Sequence, residues 1–143
     1  YRMDGEAFER IRELFYAGSC DDDGTREEIR TQFERVGYLC DPHTAVAARI
    51  CGEYQRETGD RTPTVVVSTA SPYKFASDVL RALGGDVPPG GEMKAADRLS
   101  GMTGTPVPEP IGTLRDRPVR FRASCAKTGM AETVLRFSDR ETV

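Results

Sequence analysis

Apolar residues fall three or four positions apart along much of the chain, the period of a helix that buries one face. In GEAFERIRELFYAGS, Phe8, Ile11, Leu14 and Phe15 share one side and charges the other; Gly18 and the acidic loop SCDDDG end that helix. Thr25 is the expected N-cap of the next helix, with Glu28 completing a capping box. REEIRTQFERV then turns Ile29, Phe33 and Val36 inward until Gly37 stops it. Asp41–Pro42 opens a third helix. The carboxylate accepts first-turn N–H groups, and proline loses no hydrogen bond at the first helical position. Val46, Ile50 and Tyr54 repeat along its face, and Gly59 closes it.

The period changes at TPTVVVSTA. Consecutive β-branched residues without polar alternation predict a strand buried on both faces, as in a parallel sheet flanked by helices. SPYKFASDVLRAL follows as a helix, with Ser71 as N-cap, Pro72 first, and Phe75, Val79 and Leu83 on one face. GGDVPPGGE is a linker and MKAADRLSGMTG a short helix. TPVPEPIGTLRDRPVRFRASC reads as a proline-punctuated crossing with one short strand at residues 118–123. Glu109, set between prolines, is not expected to sit on a helix. AKTGMAETVLRF predicts a last helix with Met130, Val134 and Phe137 inward, and the tail SDRETV should fray. The expected fold class is therefore α/β: helix-rich, with few parallel strands flanked by helices. One domain spans 1–143: helices and a central strand–helix unit in 1–85, then linker, crossing segment and terminal helix in 86–143.

With 143 residues the chain has material for one core. A net charge of −3 from mixed signs gives no basic stripe for a nucleic acid. No apolar run reaches the length of a membrane span and no signal-peptide core opens the chain, so the cytoplasm is the expected location. A chain that starts at Tyr1 with ordinary composition reads as a piece of a longer protein. The cysteines Cys20, Cys40, Cys51 and Cys125 form no C-x-x-C pair and read as free thiols. Cys40 and His43 have a ligand-like spacing, yet zinc needs two further ligands and no second cluster supplies them. The aspartate triplet lacks the alternation of a calcium loop. No metal is expected.

Candidate chemistry concentrates where the expected strand meets the next helix. Ser68, Thr69 and Ser71 lie where α/β sheets bind ligands, at a strand's carboxyl end beside a helix N-terminus. The residues alone leave several readings open. The hydroxyls cap and turn; or they hold a phosphate ligand in a stand-alone module; or the chain is a helical interaction module with no ligand.

GYLCDPHTAVA followed by PTVVVSTASPYKF resembles the C-terminal region of threonine synthase, with PVPEPIGTL and a terminal M-x-E-x-V helix in supporting order. The resemblance implies the tryptophan synthase β-like fold (fold type II) and pyridoxal phosphate as cofactor. It further implies O-phosphohomoserine as substrate, converted with water to threonine and phosphate. It places the Schiff-base lysine and the phosphate-binding loop in an amino-terminal half, and no lysine here stands in such a motif. This chain would then be inactive alone, its partner being that missing half. In this class a hydroxyl faces the pyridine nitrogen of the cofactor. The resemblance implies Thr69 for that contact, with Ser68 second; strand alternation lets only one of them serve. Lys74 is the candidate contact for the substrate phosphate, against a plain ion pair. Asp41 and His43 belong to the motif and are assigned helix capping and architecture. Apolar surface left bare by the missing part is expected to favour self-association.

Overall fold

The structure is a computed structural model that describes residues 5–120 and 122–138. In chain order it contains α1 (Gly5–Arg12), α2 (Asp22–Val36) and α3 (Pro42–Thr58). A 3-10 turn, Pro72–Phe75, then leads into α4 (Ala76–Ala82), followed by α5 (Glu92–Thr103). The one-turn α6 (Glu109–Gly112), two further 3-10 turns (Thr113–Asp116 and Lys127–Gly129) and α7 (Met130–Ser138) complete the order.

No β-strand occurs among the described residues, so what is observed is helix-rich rather than α/β. The segment expected as a buried strand runs through solvent, with Val65 85% and Val67 73% exposed. Pairing is the physical reason. A strand's N–H and C=O groups need a neighbouring edge, and the described residues supply none. The second expected strand fails likewise at 118–120 and 122–123, while Phe121 lies outside the described residues. Of the expected frayed tail, residues 139–143 also lie outside them.

The core is formed by α2, α3, α4 and α5. Helix α2 packs on both α3 and α4, and α4 packs on α5. Ile29, Ala45, Val79, Leu80, Ala95 and Leu99 are buried between them. The many alanines let the short helices approach closely, and Arg30 Nε donates to the Ala82 carbonyl at 2.9 Å, satisfying an end group of α4.

Several ends differ from expectation. Asp21, not Thr25, caps α2, its carboxylate accepting the Gly24 N–H at 2.8 Å. Thr25 sits in the first turn and donates to the Asp21 carbonyl at 2.7 Å. A negative charge gains from the helix dipole as well as from the hydrogen bond, so the aspartates start the helix instead of forming a loop. Glu109 opens α6, because Pro110 occupies an early position that helices tolerate. Helix α1 ends at Arg12, and Leu14 beyond it is 81% exposed. In α7, Met130, Val134 and Phe137 face outward, 55–64% exposed. An apolar stripe calls for a covering surface without saying that this chain provides it. No helix of the described residues is long and apolar enough to cross a membrane.

Candidate functional site

Asp41 organises the N-terminus of α3. It is fully buried, and its Oδ1 accepts the backbone N–H of His43 at 2.9 Å and of Thr44 at 3.4 Å. The same oxygen lies 3.1 Å from His43 Nδ1. Oδ2 accepts the Thr44 hydroxyl in a short hydrogen bond. Burial pushes this carboxyl upward. The Thr44 hydroxyl, the His43 N–H, the His43 ring and the Thr44 N–H together outweigh it and hold the group below its ordinary value.

An ionised carboxylate only accepts, which fixes the direction of each bond around it. The one hydroxyl proton of Thr44 goes to Asp41. Ser68 Oγ, 3.0 Å from Thr44 Oγ1, is then the donor to Thr44. His43 Nδ1 carries a proton for the same reason. The chain of contacts runs Ser68, Thr44, Asp41, His43.

Side chains alternate along residues 65–69. Val66, 37% exposed, lines an open groove of about 630 Å³ between α2 and α3 together with Thr44, and Ser68 reaches Thr44 itself. Val65 and Val67 point away from the helices, and Thr69 shares their parity. Thr69 is exposed, and its side chain makes no hydrogen bond among the described residues. Ser71 accepts the Tyr73 N–H at 3.3 Å and caps the 3-10 turn. Tyr73 is buried with its hydroxyl donating to the Thr105 carbonyl, while the neighbouring Lys74 is exposed and has no ion pair among the described residues. The Phe75 ring lies 5.2 Å from the His43 ring at 58°.

DPHTAV and STASPYKF, separate in sequence, thus meet in space through Thr44–Ser68 and His43–Phe75. Sequence reasoning brought Ser68 and Thr69 forward but gave Thr44 no part and His43 only a capping one. The signal was present: a hydroxyl three residues after a capping aspartate can reach the carboxylate's second oxygen. Cys40 is buried in the core, where desolvation pushes its thiol up to about 11. Among the described residues no three metal-ligating side chains come together.

The buried Asp41 carboxylate thus ties an imidazole and two hydroxyls to an exposed apolar segment. Residues 44–134, well over half of the chain, match the family model described as threonine synthase, C-terminal, and the chain belongs to that family. A threonine synthase of Methylobacillus glycogenes is 35% identical over 82 residues, 57% of this chain and 17% of that protein. A threonine synthase of Pseudomonas aeruginosa is 33% identical over 86 residues, 60% of this chain and 18% of that protein. The mouse protein named threonine synthase-like 1 is 34% identical over 76 residues, 53% of this chain and 10% of that protein. The matched stretch therefore spans less than a fifth of each of these relatives.

Proposed function

We propose that this chain is the carboxyl-terminal domain of a pyridoxal-phosphate enzyme of the tryptophan synthase β-like fold. The enzyme converts O-phosphohomoserine and water to threonine and phosphate. The observation that carries the reading is the junction of the two motifs, which leaves one hydroxyl tied to the helices and one free on the open side.

The residues present fit one edge of that cofactor, the ring nitrogen, because an uncharged hydroxyl is what this chain presents there. Pyridoxal phosphate, when bound, supplies the electron sink for breaking bonds at the substrate's carbons. A pyridine nitrogen without a proton needs a donor. Ser68 has committed its proton to Thr44, whereas Thr69 has not. Thr69 is accordingly the residue for the ring, and Ser68 holds the segment in register on the helices. Exposed Lys74, on the 3-10 turn that Ser71 caps, would meet the substrate phosphate as a point charge. The amino-terminal part of the enzyme supplies the remaining wall.

The test joins this chain to its native upstream region and supplies pyridoxal phosphate and O-phosphohomoserine. Threonine and phosphate are expected in equal amounts. Bound cofactor without either product would overturn the substrate assignment.

A further inference from the structure

Asp41 and His43 form an arrangement that helix capping does not require. A cap needs only the carboxylate and the backbone N–H groups, both already satisfied. The His43 ring is held twice more, by Asp41 at Nδ1 and by the Phe75 ring. Its side chain remains 68% exposed while the carboxylate behind it is fully buried. With Nδ1–H turned in to the carboxylate, the other ring nitrogen, Nε2, is the one left to meet a reactant.

We propose that His43 Nε2 is the base that takes a proton from the water added in the proposed reaction, with Asp41 as its positioning residue. The inference rests on the functional reading above. Water is the reactant to be deprotonated, and in this chain the imidazole side chain is 68% exposed, with Nδ1 turned to Asp41. After phosphate has left, the substrate carries a carbon–carbon double bond. One O–H bond of the water breaks and its oxygen bonds to one of those carbons. The π pair moves to the adjacent carbon, which then takes up a proton from solvent to complete the addition, and the water's own proton goes to Nε2. The resulting imidazolium is balanced by the buried Asp41 carboxylate and returns its proton to solvent. Thr44 and Ser68 connect this pair by hydrogen bonds to the segment that carries Thr69.

Two experiments test this. The chain contains one histidine, so its ring nitrogens are assignable by nitrogen-15 NMR without ambiguity. At a pH that leaves the ring neutral, the Nδ1–H tautomer is expected to dominate and Asp41→Asn to diminish it. Dominance of the Nε2–H tautomer in the unsubstituted chain overturns the proposal. The second experiment uses His43→Asn in the enzyme with its native upstream region. Asparagine can keep the contact to Asp41 but lacks Nε2. A kcat loss of about 10²–10⁴-fold, partly restored by added imidazole, is expected. Unchanged kcat, or a raised KM alone, overturns the base. Absence of product from the unsubstituted enzyme overturns the functional reading and this inference with it.

Discussion

Asp41 carries more of the local structure than any other polar side chain near the candidate site, since it receives two backbone N–H groups, a hydroxyl and an imidazole. Its folded-state value lies below the ordinary carboxylate value. Its stabilisation is therefore complete above the unfolded value of about 3.9 and is lost as pH falls through the lower folded one. Asp41→Ala is expected to cost about 1–2 kcal/mol at neutral pH, read from urea melts. The same melts repeated in acid should show the gap to the unsubstituted chain closing. The caps at Asp41, Ser71, Gly37 and Gly59 were legible in the sequence because each depends on residues within a few positions. The Thr44–Ser68 bond was not, because it joins residues 24 apart and a single hydroxyl on a helix leaves no periodic trace.

Among the elements, helix positions were readable and their surroundings were not. Periodicity places an apolar face on α4 and on α7 alike. Leu80 of α4 is fully buried, whereas Val134 of α7 is 64% exposed. Leu80→Ala should cost about 2–5 kcal/mol in the isolated chain. Val134→Asp should stay within about 0.5 kcal/mol, since the side chain is mostly exposed already. A comparable cost for both would mean that α7 packs on the core in solution. The valine run shows the same limit for strands. Its composition announces a covered segment, and the cover is a property of whatever lies beside it. The aspartates before α2 misled for a different reason: capping by Asp21 shifted the helix start ahead of the expected threonine.

At the scale of the whole molecule, Val65 and Val67 are exposed, and neither α1 nor α7 has a buried residue among the described residues. The isolated chain is expected to self-associate in sedimentation experiments. Val65→Lys combined with Val67→Lys should reduce that association while leaving Val66 and Ser68 on the helices. A monomer at all concentrations would contradict the uncovered-wall picture. The chain belongs to the threonine synthase C-terminal family, and the stretch it shares with the threonine synthases above spans less than a fifth of each.

In the proposed enzyme the open-side hydroxyl of Thr69, not the tied one of Ser68, meets the cofactor ring. The most direct measurement compares kcat for Thr69→Ala and Thr69→Ser in the enzyme carrying its native upstream region. Loss of one neutral hydrogen bond predicts roughly a tenfold fall for the alanine variant and near-full activity for the serine variant. An alanine variant as active as the unsubstituted enzyme would contradict the account.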